Sequence, residues 1–271
     1  MQLDMTKGRP MPIIMRFFIP IFIGNMFQQF YNMVDSIIVG RYVGTEAFAA
    51  VGSTGTIMFL VLGFANGLAT GFTVLTSQRF GAKDEKGIRQ SVANAIFLSV
   101  IVSAVMTVFS ILSMKGLLHL LNTPSNIYLY AYDYIIIITG GTAAVCFYNL
   151  FSALLRAVGN SKAPLFFLIL SATLNIFLDL LFIIVFKWEV RGAALATIAS
   201  QAISAICCLI YILLKVKMLV PHRDEWRLKG SFAKRQLAIG FPMALQFGIT
   251  ASGTMIMQSA INRFGSDAIA G

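Results

Sequence analysis

The chain has 271 residues, 58% of them hydrophobic and only 12% charged, with a mean hydropathy of +0.80. A soluble domain carries roughly 25% charged residues, so this composition argues against a water-soluble globule. The net charge of +10 would suit nucleic acid as a partner, but the cations are distributed among the loops between apolar stretches, which argues against that too.

Seven apolar stretches follow one another, at about 16–39, 52–77, 91–114, 127–150, 164–186, 192–214 and 237–261. Each exceeds the 20 or so residues that a spanning helix needs. Backbone groups in lipid must be satisfied within their own segment, so the stretches are expected as helices and not strands. The expected fold is an all-α polytopic membrane protein. A six-helix transmembrane lobe covers 1–214, a basic linker 215–235, and a seventh helix at 236–271 opens a second unit.

Lys7, Arg9 and Arg16 precede the first stretch. It is too long for a signal-peptide core and no small-residue cleavage site follows, so it is expected to stay in the membrane. Pro20 lies inside it and removes one backbone hydrogen bond. A static bend and a hinge are both open readings of that proline. Further along, Gln28, Asn32 and Asp35 follow i, i+4, i+7 spacing and share a face, with Tyr31 at its edge. On the second stretch Gly63, Gly67 and Gly71 recur every four residues, a spacing that lets a neighbouring helix backbone come close.

Asp133 and Tyr134 stand near the start of the fourth stretch; the first is expected to be solvated and the second to be an interfacial aromatic, with a place near the site as the other option. The fifth stretch carries Asn175 and Asp179 at i, i+4, again on one face, and the sixth has Thr197 a few residues in. Cys146, Cys207 and Cys208 lie in apolar stretches without metal or redox spacing and read as small buried hydrophobes. His119 and His222 have no partner motif and receive no role.

Charge placement orients the chain. One set of loops holds Lys7, Arg9, Arg16, Arg79, Lys83, Lys86, Arg89, Arg156, Lys162 and the seven cations of 215–235, which is 16 of the 21 Lys and Arg. The opposite set holds Arg41, Lys115, Lys187, Arg191 and Arg263. The positive-inside rule then puts the N-terminus in the cytoplasm of a cell whose inner or plasma membrane holds the protein, and seven helices leave the C-terminus outside. The linker interleaves its cations with Met218, Leu219, Val220, Trp226, Leu228 and Phe232, and reads as lying on the anionic inner leaflet. In this orientation Asp35, Asp179 and Thr197 fall at similar depth in the outer half of the membrane.

A carboxylate at membrane depth is costly and usually marks an ion or proton path. Two acids, an amide oxygen and a hydroxyl are hard oxygen donors that could share a proton or hold sodium. Asp35, Asn175, Asp179 and Thr197 are therefore the candidate cation or proton site, with Gln28, Tyr31, Asn32 and Tyr134 as neighbours. The chain has no G-x-S-x-G, Walker A or H-E-x-x-H motif, so no enzyme activity, cofactor or direct ATP drive is expected.

The chain also repeats itself weakly. FFIPIFIGNMFQQF followed by VGTEAFAAVG is echoed by IGFPMALQFGIT followed by FGSDAIAG, with Pro20 matching Pro242 and Gly44 matching Gly265. Six helices separate the copies, an even number, which makes this a parallel repeat. Because Gly271 falls where the second copy would enter its second helix, the chain is expected to be a piece of a longer protein.

Several of these segments also carry a resemblance. Pro20 through Gln28, YNMVDSIIVGRYVG, GLATGFTVLTSQRFGAKD, LLRAVGNSKAP, NIFLDLLFI and GAALATIASQ resemble the multidrug and toxic compound extrusion (MATE) transporters over nearly the whole length. The resemblance implies a two-lobe, twelve-helix exporter of small cationic amphipathic drugs, driven by sodium or protons. It implies that Asp35, Asn175, Asp179 and Thr197 form the N-lobe cation site, that Pro20 is where the first helix bends, and that a C-terminal lobe is needed for transport. A lipid-linked precursor flippase of the same superfamily is the alternative and would carry cations inside the lobe. A membrane scaffold or receptor would tolerate loss of both aspartates.

Overall fold

The structure is a computed structural model that describes residues 10–264. Those residues form eight α-helices: α1 (Pro10–Tyr42), α2 (Thr45–Gly81), α3 (Glu85–Leu120), α4 (Tyr128–Gly140), α5 (Thr142–Ala157), α6 (Lys162–Asp179), α7 (Glu189–Lys215) and α8 (Gly230–Asn262). No strand occurs among them. The early cations Lys7 and Arg9, and the second copy of the repeat from Gly265 onward, lie outside the described residues.

Six helical segments are each long and apolar enough to cross a membrane, and α4 with α5 makes a seventh span bent by 49°. The expected unbroken fourth helix is therefore two. Thr139, Gly140, Gly141 and Thr142 sit at the break. Thr139 Oγ1 turns back to donate to the Ile135 carbonyl (2.8 Å) and Thr142 Oγ1 to that of Thr139 (2.7 Å), so local side-chain bonds compete with the helical ladder. Glycine lowers helix propensity here, and at Gly141 it also makes room: the Ile198 side chain of α7 fills the space a Cβ would take.

The fifth span is irregular as well. After Asp179 the helix widens into a π-turn, Leu180–Val185, a device that recurs at functional sites. Lys187 and Glu189 then take positive φ values of 56° and 48° in the tight turn that leads into α7.

The glycine ladder of α2 does what its spacing predicts. A Cβ on Gly67 would lie 2.7 Å from the Ala244 Cα of α8, and one on Gly71 would strike the Gly240 backbone. Phe59 and Phe64 meet Phe247 and Phe241 edge-on around this contact. The buried Gln236 amide donates to the Phe72 and Ser91 carbonyls at 3.0 and 2.9 Å, tying α8 to α2 and α3. α1 and α8 are both 33 residues long with one internal proline, Pro20 and Pro242, as the repeat suggests. α8 starts at Gly230, so Lys234 and Arg235 ride on its first two turns instead of in the linker.

The linker is strapped to α3. Glu225, 5% exposed, accepts two bonds from Arg89 Nε (2.8 and 3.1 Å) and one from the His222 N–H (2.8 Å). The Lys229 N–H donates to Asn94 Oδ1 at 2.9 Å, and Trp226 packs edge-on to Phe97. Burial pushes the Glu225 carboxyl up, but the Arg89 guanidinium and the His222 N–H outweigh it and hold it below the usual carboxylate range.

The fully buried core, with Phe72, Leu150, Leu154 and Leu155 at its centre, lies among α2, α3, α5 and α7. Phe22 and Phe30 of α1 and Ile249 and Met257 of α8 project outward and are exposed. An apolar exterior of this kind suits a hydrocarbon solvent.

Candidate functional site: an acceptor-rich cluster between the first, sixth and seventh helices

Asp35 projects from α1 and is 7% exposed; Asp179, the last residue of α6, is fully buried. Asn175 sits one turn before Asp179 on the same face, and its Nδ2 donates to Thr197 Oγ1 of α7 at 3.4 Å. The Asp35 and Asp179 carboxyls come within hydrogen-bonding reach of each other. All four predicted core members therefore meet, although they come from three helices.

The decisive feature is what these groups lack. Asp35 Oδ1, both Asp179 oxygens, Asn175 Oδ1 and Gln201 Oε1 are buried with no hydrogen-bond partner. Each is an acceptor, and most buried polar groups in proteins are paired. A cluster of acceptors without donors is stabilised by a proton or a cation placed among them. The atoms that could ligate a cation are all oxygens, and no group of three or more His, Cys, Asp or Glu that could hold a metal ion occurs among the described residues. Hard oxygen donors with at most two charges suit a proton or a small hard cation better than a transition metal.

A cavity of about 480 Å³ opens beside the cluster, with Gln28, Tyr31, Asn32, Asp35, Thr197 and Gln201 in its wall and Phe247 of α8 across from them. Gln28 and Asn32 are exposed and face this space, apart from the buried oxygens. Tyr31 stands beside Gln28, Gln201 and Asp35. Tyr134 is 2% exposed and borders Asp35 and Asp179, so the interfacial position expected for it is corrected: α4 carries its ring into the bundle. Asp133, one residue earlier, points the other way and pairs with Arg191 at 2.9 Å instead of being simply solvated. Pro20 lies outside the cluster, in the wall of a second cavity toward the basic loops.

Gln201 was missed by sequence reasoning. Its i+4 relation to Thr197 was the available signal. Asn66, Tyr148 and Asn149 also line the cavity, and no spacing on their own helices marks them.

The MatE family model matches residues 20–181, which hold Asp35, Asn175 and Asp179. The chain belongs to the MatE family. It is 31% identical over 271 residues to the "Probable multidrug resistance protein YpnP" of Bacillus subtilis (strain 168), an alignment covering 99% of this chain and 60% of that protein. Among solved structures it matches the inward-facing conformation of a multidrug resistance MATE family transporter of the MOP superfamily, with TM-score 0.82 at 25% identity over 90% of this chain and 56% of that one. An outward-facing conformation of such a transporter matches equally, with TM-score 0.82 at 26% identity over 89% and 53%. The chain thus spans roughly half to three fifths of the length of these relatives.

Proposed function

We propose that this chain is the cation-sensing lobe of a secondary antiporter that exports small cationic, amphipathic compounds in exchange for sodium or protons. The observation that carries the reading is the set of five partnerless acceptor oxygens on Asp35, Asn175, Asp179 and Gln201. One proton shared between Asp35 and Asp179 would let one carboxyl donate to the other and remove one charge from a site of low dielectric. A sodium ion would instead take oxygens of Asp35, Asp179, Asn175 and Thr197.

With the basic loops on the cytoplasmic side, the cluster lies in the outer half of an inner or plasma membrane. Pro20 stands 15 residues before Asp35, roughly 22 Å along a helix rising 1.5 Å per residue. A change of charge at Asp35 reaches Pro20 through α1, where the missing backbone bond lowers the cost of bending. The equal match to inward- and outward-facing relatives supports a lobe that keeps its shape while a second lobe rocks against it. Transport then needs that second lobe. Against the flippase alternative, the wall of the central cavity holds Asp35 and no Lys or Arg, and Arg156 stands outside it in the second cavity.

The test is efflux of a fluorescent organic cation from proteoliposomes holding the full native protein, with sodium and pH gradients imposed separately. Efflux driven by one gradient and abolished in Asp35→Asn supports the reading and names the ion. Efflux that survives Asp35→Asn with unchanged ion dependence overturns it.

A further inference from the structure

The second cavity, about 260 Å³, sits among α1, α2, α5 and α6 at the end of the bundle that carries the basic loops. It shares Gln28, Asn66, Tyr148 and Asn149 with the central cavity, but its charge is opposite. The charged residue in its wall is Arg156, from the last turn of α5. Arg156 is half-buried, and among the described residues no carboxylate lies within ion-pair distance of it. Three acids at that end are engaged elsewhere, Asp84 with Arg79 at 3.0 Å and Glu85 and Glu225 with Arg89 at 3.6 and 2.8 Å, while Asp224 is exposed.

A cation held in a partly dry pocket without a counter-charge is costly. Around it stand neutral hydrogen-bonding groups, among them Asn25, Thr70, Ser152 and Ser161. Ile21, Pro164, Leu165 and Leu168 make the apolar part of the wall. Drug-sized ligands occupy pockets of about 300–1,000 Å³, so this space suits a smaller group. Guanidinium pairs with phosphate in a bidentate fork, and an apolar wall beside it suits the start of an acyl chain.

We propose that this cavity binds the phosphate headgroup of an anionic membrane lipid, with Arg156 as its counter-ion. The site stands apart from the cation cluster and would hold even if the coupling reading failed. In the orientation proposed above, the lipid belongs to the cytoplasmic leaflet.

The experiment is native mass spectrometry of the full native protein released from detergent, with dioleoyl phosphatidylglycerol, dioleoylglycerol and inorganic phosphate as probes. The expected result is one tightly held phosphatidylglycerol and no retained dioleoylglycerol. Arg156→Gln should weaken that binding at least ten-fold. Should Arg156→Gln fold poorly, Ser161→Asp serves in its place: Ser161 lines the same cavity, and a carboxylate there would compete with the lipid phosphate for Arg156. It should lose the lipid to the same degree. Asp35→Asn should bind phosphatidylglycerol as the native protein does, which separates failure here from failure of the antiport reading. Equal retention of dioleoylglycerol, or phosphatidylglycerol binding unchanged in Ser161→Asp, overturns the proposal. Displacement of the lipid by millimolar inorganic phosphate overturns the lipid as the source.

Discussion

At the scale of single residues, three acids with different surroundings should behave differently. Asp179 has two buried oxygens without donors. Asp179→Asn brings an amide that can donate to Asp35, so it should leave stability unchanged or raise it by about 1–3 kcal/mol, the range for an unsatisfied buried group, while ion coupling is lost. Thermal unfolding in detergent beside the efflux assay checks both halves; a large loss of stability would mean that the carboxylate serves packing. Asp133 pairs with an Arg191 side chain that is 64% exposed. Arg191→Ala should therefore cost less than about 1 kcal/mol, as exposed pairs do.

Glu225 is the third acid. Its side chain is covered by its neighbours but stands at the edge of the molecule, so Glu225→Gln should cost about 2 kcal/mol, in the range of charge-assisted bonds. Its folded pKa is depressed. The stability it contributes is thus present above the unfolded value of 4.5 and is lost as pH falls below it. Melting curves between pH 6 and pH 3 should show the native protein losing its advantage over Glu225→Gln below pH 4.5. Parallel curves would remove the ion pair from the account.

At the scale of elements, the α2–α8 contact depends on the absence of side chains. Gly71 faces the Gly240 backbone, where no flexible side chain can move aside. Gly71→Leu should force the helices apart and cost at least about 1–3 kcal/mol, the usual range for overpacking. Gly81, where a Cβ would meet nothing within 4 Å, should accept alanine at no such cost, and comparing the two melting points tests the assignment. The proline of α1 acts differently. Pro20→Ala restores a backbone bond without filling a contact, so the protein should melt no lower but transport more slowly if the bend is used in the cycle. Unchanged transport would make Pro20 a static feature.

At the scale of the whole molecule, the two cavities divide the bundle by charge. The buried Asp35 lines one cavity and Arg156 the other, with Gln28, Asn66, Tyr148 and Asn149 shared between them. A cation is attracted to the first cavity and repelled by the second. That polarity is a property of the lobe as a unit, and the lobe matches both inward- and outward-facing relatives.

The chain of residues by itself determined the spans, their helical nature and the faces that carry Asp35, Asn175 and Asp179. Those follow from local terms: lipid leaves the backbone no partner but its own helix, and a period of 3.6 reports which residues share a side. The close approach at Gly67 and Gly71 was legible for the same reason. Tertiary structure alone decided what crosses between helices. Arg89 meets Glu225 across 136 residues, Tyr134 turns inward beside the aspartates, and the fourth span breaks at Gly141 where Ile198 enters. Such contacts depend on crossing angles and side-chain volumes in neighbouring helices, which leave no period along one strand of sequence. Gln201 and Arg156 belong to this second class: their types were visible from the start, but only packing showed that one lacks a donor and the other a counter-charge.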